Sequence, residues 1–213
     1  PLGGVEEIGL NMTVMEYGND LIIVDAGLMF PEEDMLGVDF VIPDFSYLIE
    51  NKDKIKGVVL THGHEDHTGA LPFLLKEIDV PIYGTPLTLG LVKEKLKEHS
   101  LENATLIPVK PRDVVNLGVF SIEFVRVTHS IVDGVGLGID TPLGKVVHTG
   151  DFKLDPTPVD GQLMDFHKFS EYGEKGTLVL LSDSTNAEKG GFTFSEKEVS
   201  RAFEDIFSKA HGR

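Results

Sequence analysis

The chain has 213 residues, 41% hydrophobic and 25% charged, the composition of an ordinary globular protein of one domain, or of one domain and the start of another. A formal net charge of −16 argues against a broad electrostatic nucleic-acid surface, so any such contact would have to be local. The absence of cysteine excludes disulfides and thiolate ligands, leaves nitrogen and oxygen donors for any metal, and fits a cytoplasmic protein.

Pro1-Leu2-Gly3-Gly4 reads as a turn after a preceding strand and no Met stands first, so the chain is expected to be a piece of a longer protein. No apolar run is long enough to span a bilayer and no signal peptide is visible, so no membrane partner is expected. Residues 11–17 and 21–25 read as a hairpin around Gly18-Asn19-Asp20. Leu21-Ile22-Ile23-Val24 is apolar on both faces, as in a strand between layers, and Asp25-Ala26-Gly27 breaks it. The acidic stretch 30–44, with Pro31, Gly37 and Pro43, reads as a surface loop, and a short helix follows to about Asn51. Residues 55–61 form a strand that runs into His62-Gly63-His64-Glu65-Asp66-His67. Ala70, Leu71, Leu74, Leu75 and Ile78 then fall at helical spacing. Pro72 is tolerable only in a first turn, so this helix is expected to begin near Thr68.

A short strand at Ile82-Tyr83 leads to Thr85-Pro86, a cap with proline at the first helical position, and that helix reaches about His99. Strands are expected at 105–109, at 120–129 with period two, and in a hairpin of 135–140 with 145–149. Another strand spans 177–181, and Ser195 with Glu198 makes a capping box before a helix to about Ala210. Strands alternating with helices, with hairpins among them, predict a layered α/β fold with a mixed sheet, its polar clusters at strand ends.

His62, His64, Asp66 and His67 lie together where a strand turns into a helix. In an extended stretch residues two apart point the same way, so His62 and His64 can converge on one metal. Asp66 and His67 lie where the chain turns and can address a second metal nearby. Imidazole and carboxylate donors suit zinc, and also manganese or iron. The plain alternative is a histidine-rich turn that binds metal adventitiously, and the order strand, cluster, helix argues against it.

The motif His62-x-His64-x-Asp66-His67 resembles the signature of the metallo-β-lactamase superfamily. Gly3-Gly4, Glu7-Ile8-Gly9-Leu10-Asn11, Asp25-Ala26-Gly27, His129-Ser130, Thr149-Gly150-Asp151-Phe152-Lys153 and Ser182-Asp183-Ser184-Thr185-Asn186 extend it. Together they resemble the ribonuclease J family, in the β-CASP branch of nucleic-acid-processing hydrolases, over nearly the whole chain. The resemblance implies an α/β metallo-β-lactamase αββα sandwich, incomplete here, over 1–186, followed by the start of a β-CASP insertion over 187–213. It implies a metal-dependent ribonuclease with 5′–3′ exonuclease and endonuclease action in RNA processing and decay. RNA is then the partner, and the protein a homo-oligomer, dimer or tetramer.

The resemblance also implies roles. His62, His64 and His129 would bind one metal, Asp66 and His67 a second, and Asp151 would bridge them. Asp66 and Asp151 would thereby count as catalytic, with Asp183 as an acidic residue beside the metals. Asp25 would orient ligands by hydrogen bonds. The implied cofactor is a pair of divalent ions, zinc first and manganese as the alternative, which would activate a water and offset phosphodiester charge. Taken singly, His129 reads as a strand-end histidine, Asp151 and Asp25 as turn residues, and Asp183 as the opening of a loop. For His129 and Asp151 the joint pattern overrides that, because a two-metal site needs ligands beyond the cluster. His99, His148, His167 and His211 read as a helix end, a strand, a helix and a tail, without a role.

The chain departs from the family in stopping before the segment that would bring the last histidine of the second metal and the general acid. Residues 1–213 alone are therefore expected to hold the second metal weakly and to cleave little. Two other readings stay open. One is a small-molecule hydrolase of lactonase, thioesterase or β-lactamase type, against which the motif at 182–186 speaks. The other is a metal-binding scaffold without catalysis. A redox di-iron site is disfavoured by His64, where that branch usually has Glu.

Overall fold

The strand signals assemble into two five-stranded sheets in a computed structural model that describes residues 1–212. The first sheet begins with the hairpin of β1 (Thr13–Tyr17) and β2 (Asp20–Val24), joined by the two-residue turn Gly18-Asn19 rather than a three-residue one. Beside β2 lie β3 (Ile55–Val59), β4 (Ile82–Gly84) and β5 (Leu106–Pro108), all parallel. The second sheet runs β6 (Val114–Leu117), β7 (Phe120–Arg126), β8 (Val135–Thr141) and β9 (Gly144–His148), each antiparallel to the next. It ends at β10 (Val179–Leu181), which pairs parallel to β9.

The period-two rule places the layers. Leu21, Ile23, Val58 and Leu60 point to one face of the first sheet, onto a cluster with Leu48, Leu71, Leu74, Leu89, Val92 and Leu96. Ile22, Val24 and Val59 point to the other face, against Ile122, Phe124, Leu137 and Ile139 of the second sheet. Burying each such side chain contributes about 2 kcal/mol, which fixes the register because a one-residue slip would exchange the two faces.

Helices cover the outer faces. On the first sheet these are α1 (Ser46–Glu50), α2 (Glu65–Thr68), α3 (Leu71–Leu74) and α4 (Pro86–Glu98). On the second sheet α5 (Phe166–Lys175) lays Phe169 and Tyr172 over Val125 and Val147. Tyr172 sits so close to β8 that a Cβ on Gly138 would lie 2.4 Å from its ring. The result is helices, sheet, sheet, helix, the sandwich expected from the sequence. Among the described residues no helix is long and apolar enough to cross a membrane.

Two further local expectations need correction. The helix after the histidine cluster begins at Glu65, not near Thr68, and is broken at Gly69-Ala70 into two single turns. Pro72 occupies the first turn of the second piece, which is why the break is tolerated. Strand β6 carried too few apolar residues at regular spacing to stand out along the chain, whereas α5 contains His167, which reads as helical from the sequence. The capping hydroxyl of Ser195 accepts from the N–H of Lys197 at 3.3 Å, not from that of Glu198. It begins α6 (Glu196–Lys209), whose residues are all at the surface apart from partial cover at Glu196 and Ser200.

Candidate metal centre

The site is built where β2, β3 and the turns after β7 and β9 end on one side of the sandwich. Asp25 follows β2 with a left-handed backbone, φ 61°, a conformation that costs on the order of 1 kcal/mol outside glycine. That bend aims a buried carboxylate at the end of β3. Its Oδ1 accepts the Thr61 N–H at 2.8 Å, and its Oδ2 lies 2.8 Å from both the Thr61 hydroxyl and His67 Nδ1. Because Asp25 can only accept, His67 carries a proton on Nδ1, and Nε2 is the ring atom turned toward the site. The same logic runs through Thr61. Its hydroxyl donates to Asp25, so its oxygen accepts from His62 Nδ1 at 3.0 Å, which leaves His62 Nε2 with a lone pair.

Two sets of donor atoms follow from this orientation. His62 Nε2 and His129 Nε2 lie 3.0 and 3.2 Å from His64 Nδ1. Around a tetrahedral zinc with N–Zn bonds of about 2.0–2.1 Å, ligand nitrogens stand about 3.3 Å apart, so three converging imidazoles at this spacing fit one ion. The second set is His62, His67 and Asp151. His67 Nε2 lies 3.3 Å from Asp151 Oδ1 and 3.6 Å from Asp66 Oδ2, while Asp151 Oδ2 lies 3.7 Å from His129 Nε2. The two oxygens of Asp151 thus face the two histidine sets.

Backbone geometry delivers Asp151. Gly150 has φ 58°, and a Cβ there would lie 2.8 Å from the Val135 carbonyl. His148 accepts the Gly150 N–H on Nδ1 at 3.0 Å, and thereby braces the turn that presents Asp151. A similar close approach fixes Gly27, whose Cβ would fall 1.6 Å from the Asp66 carbonyl oxygen. His129 is carried by a loop that Asp133 ties to α4, accepting the Leu87 N–H at 3.0 Å.

The electrostatics agree with a cation-seeking site. Burial, reinforced by the charge on His67, pushes His62 down to about 2, so the ring stays neutral and its Nε2 stays free. Burial lowers His129 and His148 as well. Burial opposes protonation of His67 too, but the carboxylates of Asp25 and Asp151 outweigh it and push that imidazole up to about 10. Asp151 would be raised by burial, yet the hydrogen bond and charge of His67 hold it below the usual carboxylate range. Buried carboxylates that hold a proton this tightly on a neighbouring imidazole hold positive charge of any kind, a divalent ion included.

Every sequence-predicted residue has a definite place. His62, His64, His67, His129, Asp66 and Asp151 come together, and Asp25 lies behind them. Asp183 stands one step away. Its oxygens accept the N–H groups of Phe152 at 3.3 Å and Thr185 at 2.8 Å, and it lines the clefts on both sides of Asp151. One cleft, of about 470 Å³, runs from the 3–13 loop past Asp66 and His67, and the other, of about 650 Å³, runs from His129 and Ser130 to Gly191. His99 stacks edge-on against Phe73 at 5.6 Å, and His167 lies in α5, both outside these groups. His148, expected to be a strand residue without a role, braces the Asp151 turn, and Asn11, with no role expected, enters the site. Asn11 touches Asp66 and His67, and the one sequence signal was its place at the end of the quoted 7–11 motif.

The chain matches the family described as "Metallo-beta-lactamase superfamily" over residues 7–186. Over its full length it is 54% identical to Ribonuclease J of Synechocystis sp., 49% to Ribonuclease J of Thermus thermophilus and 46% to Ribonuclease J2 of Bacillus subtilis. It covers 34%, 39% and 38% of those proteins, so it spans a little over a third of the length of the relatives it matches. Among solved structures, a protein of unknown function from Enterococcus faecalis V583 superposes with a TM-score of 0.66 at 19% identity, covering 96% of this chain and 55% of that one. At that identity the likeness is one of fold.

Proposed function

This chain belongs to the metallo-beta-lactamase superfamily, and on that premise we propose that it is the metal-bearing lobe of a ribonuclease of the ribonuclease J type. The observation that carries the reading is the pairing of two donor sets across Asp151, with clefts leading away on both sides. A groove that passes over the reacting centre suits a chain-like substrate better than a closed pocket would. The ribonuclease names of the relatives support RNA as that chain.

In this reading His62, His64 and His129 would hold one divalent ion, Asp66 and His67 would hold the other, and Asp151 would serve both. Nitrogen-rich donors favour zinc, with manganese as the alternative. When bound, such a pair brings the pKa of water toward neutrality and offsets charge on the attacking and leaving oxygens of a phosphodiester. The chain's own residues supply orientation. Asp25 fixes the tautomer of His67 directly and that of His62 through Thr61, and Asp183 holds the turn after Asp151 through the Phe152 amide. The 5′–3′ exonuclease and endonuclease actions, a role in RNA decay, a homo-oligomeric state and a cytoplasmic location belong to the same proposal. So does a boundary at residue 186 with a β-CASP segment beyond it.

The test uses the full-length protein, with elemental analysis and a substrate panel of 5′-monophosphate RNA, nitrocefin and a lactone. Two ions per chain and turnover of RNA alone are expected, with His64→Ala and Asp151→Ala inactive but folded. Turnover of the lactone or nitrocefin in preference to RNA, or unchanged cleavage in either variant, refutes the reading.

A further inference from the structure

Asn11 lies between the glycine-containing loop at 3–9 and β1, and it reaches into the site from the side opposite Asp25. Its backbone is tied first. Its N–H donates to the Asp66 carbonyl at 3.1 Å, and its own carbonyl accepts the Gly27 N–H at 2.9 Å. Its side chain then adds three contacts. Nδ2 lies 3.1 Å from the Asp66 carbonyl oxygen, 3.4 Å from Asp66 Oδ2 and 3.0 Å from His67 Nε2. Two of these are oxygens that can only accept, so the donor edge of the amide is the one that faces the site. The other edge is closed by the loop. A Cβ on Gly4 would lie 2.6 Å from Asn11 Oδ1, and Gly4 has φ 82°.

These contacts are selective. They fall on Asp66 and His67 and not on His62, His64 or His129. His67 is already gripped at Nδ1 by Asp25, and its Nε2, 3.0 Å from the Asn11 amide, is the atom that would face the ion, so the anchoring contacts of Asn11 are those to Asp66. Among the described residues Asp66 has no comparable clamp. Its side chain is 35% exposed, and the Asn11 amide is the hydrogen-bond donor that meets its Oδ2. A carboxylate left free would spend its time among rotamers that face away from His67 and Asp151, and a cation would have to order it on binding.

We propose that Asn11 is a positioning residue for the second metal: through its side-chain amide it holds the Asp66 carboxylate in the arrangement that receives the ion, and it leaves the three-histidine set unaffected. This rests on the two-metal reading above. Partners that orient metal ligands in this way typically change metal affinity by about 10–100-fold when removed.

Zinc affinity measured by chelator competition on the full-length protein tests this, with Asn11→Ala, Asp66→Ala and the unaltered protein compared. The unaltered protein is expected to bind two zinc ions and Asp66→Ala to lose the weaker one. Asn11→Ala is expected to bind that second zinc about 10–100-fold more weakly while the first affinity stays unchanged. In the Asp66→Ala background, adding Asn11→Ala should change zinc binding no further, which a general loss of folding would not reproduce. Should Asn11→Ala fail to fold, Asn11→Gln, with its amide displaced by one methylene, carries the same criterion. An unchanged second affinity, or both affinities weakened alike, overturns the Asn11 assignment while two-ion binding stands. Fewer than two ions in the unaltered protein, or two retained in Asp66→Ala, sinks the two-metal reading and this inference with it.

Discussion

Asp25 Oδ2 lies 2.8 Å from His67 Nδ1, with both side chains about 2% exposed. The carboxylate also holds the Thr61 N–H and hydroxyl, so its loss would strand three buried donors at once. Asp25→Ala is therefore expected to lower the unfolding free energy by about 3–5 kcal/mol, and Asp25→Asn by less because it keeps one accepting oxygen. Urea unfolding monitored by circular dichroism measures both. A loss below about 1 kcal/mol for the alanine variant would contradict the central place given to this pair.

Gly27 admits no side chain, because the Asp66 carbonyl stands where a Cβ would go. That oxygen belongs to backbone and accepts the Asn11 N–H, so it cannot swing aside. Gly27→Ala is expected to yield little folded protein, whereas Gly90→Ala, with nothing near its Cβ in a helix, should be neutral or slightly stabilising. Comparative expression and thermal unfolding decide it, and equal behaviour of the two variants would count against the packing described.

His148 provides a milder test of how Asp151 is presented. Its Nδ1 accepts the Gly150 N–H, and an asparagine side chain can place an oxygen at nearly the same point. His148→Leu is expected to destabilise the fold by about 1–3 kcal/mol by leaving that amide unpaired, and His148→Asn to recover most of the loss. If asparagine fares no better than leucine in equilibrium unfolding, the hydrogen bond is not what His148 contributes.

The start of α6 should come loose in acid. Buried Asp155 accepts the N–H groups of Thr157 and Glu196 at 2.9 Å each. Burial works to raise its pKa, but the Glu196 amide, the Ser195 hydroxyl and the Thr157 amide outweigh burial and hold it below the ordinary value. A depressed folded-state pKa stabilises above the unfolded value of about 3.9, and the contribution is lost as pH falls through the lower, folded value. Amide protection at 195–197, corrected for intrinsic exchange, is expected to fall below pH ~4 and to become flat across that range in Asp155→Asn. Protection that held steady in acid in the unaltered protein would refute the role of this carboxylate.

Local pattern made much of this protein legible. The unbroken apolar run along Leu21 to Val24 marked a strand buried on both faces, and alternation along Phe120 to Phe124 marked one buried on one face, because side chains two apart share a face. The cluster from His62 to His67 marked a metal site for a related reason: donor side chains crowded into one turn have nowhere else to converge. Strand β6 gave no pattern of its own because it is a short edge strand.

What the sequence alone determined was which residues could bind a metal and which segments had to be buried, since both depend on chemistry carried within a few residues. It could not decide that Asp151 stands between the two histidine sets, that Asp25 fixes the tautomers of His62 and His67, or that Asn11 reaches Asp66 across 55 positions of chain. Those relations cross from one strand end to another. They exist only once two sheets have packed face to face and brought separate turns to the same edge, and no local periodicity encodes a distance of that kind.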